Sequence, residues 1–423
     1  MELLASILNT FTSLGATVVL PFIMFFLGLI FRLGFSKSFK SALTIGIGFI
    51  GINLIIGYFW GAVSPVAIAF SEMTGNRLTM LDIGWPAAAA VAWGSIAAPI
   101  IVIGALVVNF IMIKLKWTKT LNVDIWNFWG PMLYGQIVIA HTKSLIAGIL
   151  TAIIILVILN LLADRTQKHM YEYYQVPGVT IPHLFSQSAG IVAYPVNYLL
   201  DRIPGINSIN WTPQNIKQKL GVFGEPMSIG LILGAAMAII AGFDYRGILT
   251  TSLGLAGSMV LLPKMVAILM EGLVPFANGV SGYMTEKLDG HEVYVGMDSA
   301  IILGDPANLV TAVLLIPITI LIALILPGNK ALPMADLPAL VYMTVIGVGI
   351  TKGNVFRSVI IGIPIVIALL WTATYLGPEI TTLAGEVGFD VPEGAVTITS
   401  IATGSSWIGV AVQKIMDIIG GIF

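Results

Sequence analysis

The sequence predicts an all-α polytopic membrane protein made of two inverted repeats, with about ten or eleven transmembrane helices, some of them broken. Three observations support this prediction: the composition, the length of the charge-free runs, and internal repetition. Of the 423 residues, 57% are apolar and only 10% are charged, whereas a soluble domain has about 25% charged residues. A chain of this composition is solvated mainly by lipid.

The charge-free runs indicate where the helices cross. A run of about 20 apolar residues can span about 30 Å of hydrocarbon. Such runs lie at 10–31, 41–59, 96–113, 145–163, 226–243, 247–263, 307–328 and 358–376. Other apolar segments are broken by glycine, proline or an acidic residue, at 82–95, 125–141, 182–200, 295–306, 337–351 and 395–413. Broken backbone survives in a membrane only where it is buried in protein or lines a wet cavity, so we expect the functional site among these segments.

Several stretches of the chain recur later in the same order, as "KSLIAGI" recurs as "RSVIIGI". The pairs are 34–51 with 242–257, 80–84 with 296–300, 143–149 with 357–363, and 198–206 with 414–422. Chance similarity among aliphatic sequences is the alternative explanation. The common order favours two homologous halves, 1–206 and 223–423, joined by a polar cytoplasmic connector at 207–222.

The distribution of basic residues predicts that the second half is inverted. Counting 125–142 as a span gives each half an odd number of crossings, which reverses the direction of the second copy. With the N-terminus outside, the outer loops hold only Arg77, Lys143, Arg246 and Lys330. The inner loops hold Arg32, Lys37, Lys40, Lys114, Lys116, Lys119, Arg165, Lys168, Lys217, Lys219, Lys264, Lys287, Lys352 and Arg357. This asymmetry follows the positive-inside rule, and inverted repeats with broken helices are typical of transporters.

Composition and motifs exclude several function classes. The net charge of −1 gives no basic surface for nucleic acid, and the absence of cysteine excludes disulfides, thiolate nucleophiles and cysteine-ligated metals. The chain has no nucleotide-binding or metal-binding motif, so we expect no metal and no cofactor. Energy for transport must then come from a gradient or from another protein. A channel or a membrane-embedded enzyme is a less favoured alternative.

Acidic residues in the broken segments are candidate site residues, because a charge inside a membrane is costly and usually functional. Asp298 lies in "YVGMDSAIILGDPANL" without a basic neighbour and could bind the hydroxyls of a polyol, or cap a half-helix. Asp305 precedes a proline, as does Glu225, so each could be an N-cap or a site residue. Asp82 lies in "LDIGWP".

Aromatic, amide and imidazole groups complete the candidate set. Trp85 offers an apolar face for the C–H surface of a sugar and one N–H donor. Neutral imidazoles and amides both donate and accept hydrogen bonds, which suits a neutral polyhydroxylated ligand. The candidates of this kind are Gln136, His141, His183, Gln187 and Asn308.

Five strings give the chain a family resemblance: "LDIGWP", "NVDIWN", "IPH", "FGEP" and the G-x-D-x-A-x-x-L-G pattern at 296–304. With them the chain resembles, over essentially its whole length, the galactitol-type enzyme IIC of the bacterial phosphotransferase system, a group related to the ascorbate-type proteins. The resemblance implies a homodimer in the bacterial cytoplasmic (inner) membrane. Each protomer would have a core domain with two re-entrant hairpins and a scaffold domain that carries the dimer contact.

The resemblance also implies the function and the partners. A neutral alditol, with galactitol the first candidate, would be imported and phosphorylated by an enzyme IIB carrying a phosphocysteine, with enzyme IIA upstream. Because this chain has no cysteine, the phosphocysteine is expected on a separate chain, and this chain alone would not catalyse the transfer. The alternative is a gradient-driven secondary transporter for a polyol or a sugar acid.

Carried over by motif, two residues receive catalytic roles. The aspartate of the second hairpin falls on Asp298, and the histidine that precedes the junction of the halves falls on His183. In the ascorbate branch a histidine and a glutamine follow a glycine in the region of Gly130. The histidine position here is Pro131, and Gln136 matches the glutamine only after a one-residue shift. The segments 87–95 and 304–309 depart from galactitol-type members and are candidate specificity segments.

Overall fold

The computed structural model describes residues 16–73, 78–93, 95, 97–287, 292–333, 336–386 and 397–420. Most residues within these ranges are helical. The predicted span 10–31 is therefore described from Ala16 onward, and the broken segment 395–413 from Thr397 onward.

Helices and strands are numbered in chain order. Before residue 206 they are α1 (Ala16–Ile30), α2 (Phe35–Met73), β1 (Met80–Asp82), α3 (Trp85–Trp93), α4 (Ala98–Lys114), β2 (Thr120–Asn122), α5 (Trp129–Thr142), α6 (Leu145–Tyr174), β3 (Val179–Thr180) and α7 (Leu184–Leu200). The next stretch holds α8 (Pro213–Leu220) between 3-10 turns at Ile206–Ser208 and Gly221–Gly224.

The remaining elements begin after Glu225. They are α9 (Pro226–Ile240), α10 (Tyr245–Lys287), β4 (Tyr294–Gly296), α11 (Pro306–Ile325), β5 (Ala331–Leu332), α12 (Leu340–Ile350), α13 (Val355–Glu386), β6 (Thr397–Thr399), α14 (Ile401–Gly404) and α15 (Trp407–Ile419). Further 3-10 turns lie at Ile125–Asn127, Ser299–Ile302 and Leu337–Ala339.

Within the described ranges, α6, α11 and α13 are long and apolar enough to cross a membrane. They contain or overlap the predicted runs 145–163, 307–328 and 358–376. Their starts follow from local sequence: the Ser144 hydroxyl caps α6 by accepting from the Ala147 amide at 3.2 Å, and α11 begins at a proline, whose missing N–H costs nothing there. The prediction of a helical membrane protein is confirmed at this level.

Two three-stranded parallel sheets interrupt the helices. Strand β1 lies between β5 and β6, and strand β4 lies between β2 and β3. Each central strand therefore pairs with two strands from the other part of the chain. The all-α prediction missed these strands because segments of two or three residues are too short to show the alternation that identifies a strand.

Side chains satisfy backbone groups of the short strands that the sheets leave open. The Asn109 amide on α4 donates to the Thr120 carbonyl at 2.8 Å and accepts from the Asn122 amide at 2.9 Å, so it acts as one more partner for β2. The Asp164 carboxylate on α6 accepts from the Thr120 hydroxyl at 2.7 Å and from the Lys119 amide at 3.0 Å. Buried backbone groups require such partners.

Helices α2 and α10 pack against each other in opposite directions. Ser41 lies beside Gly272, and Ala62 lies beside Gly254, so residue numbers rise along one helix as they fall along the other. A Cβ atom on Gly272 would lie 2.7 Å from the Ser41 carbonyl oxygen, closer than such atoms approach. Small residues of this kind let helix backbones approach closely in membranes.

We expect Gly272→Ala to destabilise the protein because the added methyl group must push α2 away, an overpacking effect that typically costs about 1–3 kcal/mol. The matched control is Gly282→Ala on the same helix, where a Cβ would meet nothing within 4 Å. Alanine favours helix over glycine by about 1 kcal/mol, so the control should melt at the same temperature or higher. Thermal melting of the detergent-purified variants measures the difference, and equal melting temperatures would contradict this account of the α2–α10 contact.

Candidate functional site

A cavity of about 480 Å³, counted out to its mouth, lies where the broken segments meet. Its aromatic walls are Trp85, Trp126, Trp129, Phe185 and Tyr342. The charged or titratable polar groups that face it are His183 and Asp298, and no lysine or arginine belongs to the described lining. The cavity therefore suits a ligand with apolar faces and hydroxyl groups.

Short non-helical segments position these side chains at helix starts. Trp85 begins α3 directly after β1, and Trp129 begins α5 after the turn that contains Trp126. His183 directly precedes α7, and Asp298 directly precedes the 3-10 turn Ser299–Ile302. The polar site residues thus follow β3 and β4, two neighbouring strands of one sheet.

The Asp298 carboxylate is buried and only partly engaged. One oxygen, Oδ1, accepts from the Ala300 amide at 2.7 Å and caps the 3-10 turn. The other, Oδ2, lies 3.4 Å from Nε2 of His183. Both side chains are less than 10% exposed. Asp298 is therefore a cap through one oxygen, which was one of its two alternatives, while the other oxygen faces the histidine; binding of a polyol hydroxyl stays a prediction.

The His183 ring is held from the opposite side by two serines. Its Nδ1 lies 2.9 Å from the Ser186 hydroxyl and 3.0 Å from the Ser299 hydroxyl. The Ser186 hydroxyl donates to the Tyr342 carbonyl at 2.6 Å. The Ser186 oxygen can therefore only accept from His183 and Ser299. Counting the 3.0 Å contact between the two serine hydroxyls, three protons serve these four contacts when hydrogen is on Nδ1 and only two when it is on Nε2, which favours the Nδ1–H tautomer. Nε2 is then an acceptor that faces Asp298.

A second carboxylate, Asp124, supports the site and was missed by the sequence reading. Its oxygens accept from the Asp298 amide at 3.0 Å and from the Trp126 amide at 3.1 Å. It is fully buried and joins the segment after β2 to the segment after β4. The signal was present, because Asp124 lies in the quoted string "NVDIWN" and in a broken segment.

The aromatic walls pack against one another in fixed geometries. Trp85 meets Trp126 edge to face with ring centroids 5.5 Å apart, and it stacks on Trp129 at 6.2 Å. Phe185 packs against Trp129 at 5.1 Å and against His183 at the same distance. Such pairs favour defined orientations, so the walls form a rigid aromatic surface. Of the five aromatic wall residues, the sequence identified only Trp85 as a site residue.

Asp82 lies beside the cavity but not in its lining, and backbone amides occupy its carboxylate. Oδ1 accepts from Gly84 at 3.2 Å and from Ile401 at 3.3 Å, and Oδ2 accepts from the Asp336 amide at 2.8 Å. Asp336 in turn accepts from the Trp85 amide at 2.7 Å and from the Ser400 hydroxyl at 2.6 Å. The structure gives this carboxylate pair a structural role, joining β1 to the segments after β5 and β6.

Two further acids predicted for the site lie at helix starts outside the cavity lining. The Asp305 side chain caps α11 by accepting from the Asn308 amide at 2.9 Å, and it also accepts from the Tyr173 hydroxyl at 3.1 Å. Glu225 directly precedes α9, as its Pro226 neighbour predicted. Asp305 is thus an N-cap, which was one of its two alternatives.

Four amide and imidazole candidates are also used elsewhere. Asn308 donates to the Val341 carbonyl at 3.1 Å and Gln187 to the Ile181 carbonyl at 2.7 Å. Gln136 donates to the Ala92 carbonyl at the end of α3. His141 lies at the end of α5, 3.0 Å from both Glu379 and Asp417. The contacts of Asn308, Gln136 and His141 join helices, and Gln187 also donates to the Thr166 hydroxyl on α6 at 2.9 Å. A role in substrate binding stays a prediction for each residue.

The described residues contain no group of three or more His, Cys, Asp or Glu side chains placed to hold a metal ion. What the cavity offers instead is hydrogen bonding. Asp298 Oδ2 and His183 Nε2 can accept from one hydroxyl group, and either can take its proton as that oxygen forms a new bond.

Comparison with known proteins places the chain in a family. The profile of the family described as "PTS system sugar-specific permease component" (EIIC-GAT) matches residues 10–394. The chain is 33% identical over 384 residues to the "PTS system galactitol-specific EIIC component" of Escherichia coli (strain K12), covering 91% of this chain and 85% of that protein. The protein of the same name from Escherichia coli O157:H7 gives the same figures.

A third relative supports the same assignment. The chain is 33% identical over 406 residues to the "Putative permease IIC component" of Escherichia coli (strain K12), covering 96% of this chain and 93% of that protein. The resemblance found in the sequence is therefore confirmed. The chain is an integral membrane protein and belongs to the EIIC-GAT family, the sugar-specific permease components of the phosphotransferase system.

Proposed function

We propose that this chain imports a neutral alditol, with galactitol the first candidate, for phosphorylation by a phosphocysteine enzyme IIB. The observation that carries the proposal is the cavity itself, in which aromatic walls surround one His–Asp pair and no cation belongs to the described lining. A sugar acid would need a positive partner in a site with such an apolar lining. The name of the 33%-identical relative supports galactitol.

In the proposed reaction, Asp298 and His183 orient the attacking hydroxyl group. That hydroxyl donates to Asp298 Oδ2 or His183 Nε2, which lie 3.4 Å apart. Its oxygen attacks phosphorus as the sulfur–phosphorus bond breaks, the cysteine of enzyme IIB leaves as thiolate, and the hydroxyl proton passes to the accepting group. Phosphoryl transfer depends mostly on such positioning.

We further propose that the chain consists of two inverted repeats, 1–206 and 223–423, joined by a connector at 207–222. Three features support this. The elements from α1 to α7 recur in order from α9 to α15, with α3 matched by the 3-10 turn Ser299–Ile302. The matched helices α2 and α10 run antiparallel. The exchange of central strands between the sheets is what a two-fold relation produces. The connector would be cytoplasmic.

The family assignment suggests the rest of the assembly. The segments around β1–α3 and β4–α11 are the proposed re-entrant hairpins of a core domain that moves past a scaffold domain containing α2 and α10. A homodimer formed through the scaffold, a location in the bacterial inner membrane, and partnership with enzymes IIB and IIA complete the proposal. A gradient-driven transporter is the competing function, although no described feature favours it.

Reconstituted vesicles separate these two functions. With phosphorylated enzyme IIB inside, labelled galactitol should accumulate as its phosphate, and without enzyme IIB no accumulation should occur. A gradient-driven transporter would instead accumulate unmodified alditol when an ion gradient is imposed. That second result would overturn the proposed function.

The inverted topology places positions 143 and 330 outside and positions 119 and 352 inside. All four are exposed lysines, and the chain has no native cysteine. Single cysteines at these positions should therefore react with an impermeant maleimide from opposite sides of intact cells. Equal labelling of 119 and 143 from outside would contradict the inverted repeat.

The carboxylate of Asp298 should be required for transfer. Asp298→Asn keeps an acceptor for the Ala300 amide but removes the charge, so phosphorylation-coupled uptake should fall at least about tenfold, about 1.4 kcal/mol. Expression and assembly should persist. The matched control is Asp305→Asn, which keeps an N-cap side chain outside the cavity lining and should retain uptake. Full activity of Asp298→Asn would remove Asp298 from the site, and loss of folding would leave only its capping role.

A further inference from the structure

Trp126 lines the cavity, and its buried indole N–H is a hydrogen-bond donor without an acceptor in the described part of the chain. Its nitrogen is buried and has no hydrogen-bond partner among the described residues, although the ring lines the cavity. A buried donor of this kind destabilises the empty protein unless something accepts from it. Buried indole N–H groups usually do find an acceptor.

Contacts to neighbouring residues fix the position of the Trp126 ring, and with it the position of the unpaired indole N–H. The backbone amide of Trp126 donates to Asp124, the carboxylate that also fixes the Asp298 amide. The ring packs edge to face on Trp85 with an interplanar angle of 79°. The donor and the His–Asp pair are therefore tied to one another through Asp124.

The polar groups of the cavity are complementary to a polyol. His183 Nε2 and Asp298 Oδ2 accept hydrogen bonds, so the hydroxyl group between them must donate. The indole of Trp126 can only donate, so it requires an oxygen that accepts. Of two neighbouring hydroxyl groups of an alditol, one can donate to the His–Asp pair and the other can accept from the indole. A carbon atom of the ligand that lacks its hydroxyl group can do neither.

We propose that Trp126 Nε1 donates to a second hydroxyl oxygen of the bound alditol and thereby selects which hydroxyl reaches His183 and Asp298. Trp126 is on this view a specificity-determining residue. The inference rests on the proposed function, because it takes an alditol as the ligand of this cavity. It adds a residue and a direction of hydrogen bonding that the sequence reading did not include.

Binding to the full-length, detergent-purified protein tests the proposal without enzyme IIB. Calorimetry compares galactitol with a set of monodeoxy alditols that each lack one hydroxyl group. The wild type should bind one or more analogues about tenfold more weakly than galactitol because the indole loses its acceptor. Trp126→Phe removes the N–H and should bind galactitol about tenfold more weakly, with no further loss for the analogue that lacks the contacted hydroxyl.

Trp407→Phe is the matched control. It removes an indole N–H that donates to the Thr372 hydroxyl at 3.1 Å, and Trp407 is not part of the described cavity lining. This variant should keep the wild-type discrimination between galactitol and the analogues. If Trp126→Phe does not fold, β-(3-benzothienyl)alanine at position 126 keeps the bicyclic shape while removing the donor.

The outcomes separate the inference from the proposed function. If the Trp126 variants discriminate among the analogues as the wild type does, the indole does not contact substrate and the inference is overturned. If the wild type binds none of the alditols, the proposed substrate class is wrong, and the inference falls with it. Loss of discrimination that is confined to one analogue supports the contact and identifies the hydroxyl.

Discussion

The need to satisfy backbone hydrogen bonds away from helices is the constraint on which the rest of this structure depends. An unpaired N–H or C=O group in an apolar environment is costly, yet transporters typically build their substrate sites from discontinuous helices. The chain meets both demands with two small parallel sheets and with asparagine and aspartate side chains that take the place of missing strands. The cavity lies where these non-helical segments, with their backbone hydrogen bonds satisfied, meet.

Buried aspartates beside both sheets accept hydrogen bonds from backbone amides. Among these aspartates, Asp298 alone also turns a carboxylate oxygen toward a histidine. Asp82 and Asp336 are occupied by amides and by the Ser400 hydroxyl. Asp124 is likewise occupied, whereas Asp298 turns one oxygen toward His183. In the described structure, a purely structural aspartate and the candidate site residue Asp298 thus differ by a single contact. The proposed duplication would account for this: two similar breaks arose, and one acquired the histidine.

Sequence reading predicted the helical membrane fold and the segments in which the site lies, because composition and run length report burial in lipid directly. It identified Asp298, His183 and Trp85, which do line the cavity. Asp305 and Gln136 show why other candidates fall outside the lining. An acidic residue before a proline has the same sequence pattern whether it caps a helix or binds a ligand. A glutamine that donates to a carbonyl far away in the chain cannot be recognised from its neighbours in the sequence. Strands of two or three residues, and the Asp124 contact across the chain, are likewise visible only in three dimensions.

The exchange of central strands affects how the protein can be made. Strand β1 emerges early from the ribosome, but its partners β5 and β6 come from the last part of the chain. Until those segments are inserted, the backbone groups of β1 lack the hydrogen-bond partners that they have in the finished fold. The helices inserted first therefore form an incomplete assembly in the bilayer. The sheet around β1 is then completed late in biogenesis. A chain truncated before β6 lacks its own C-terminal segment and also leaves β1 without one of its two partner strands.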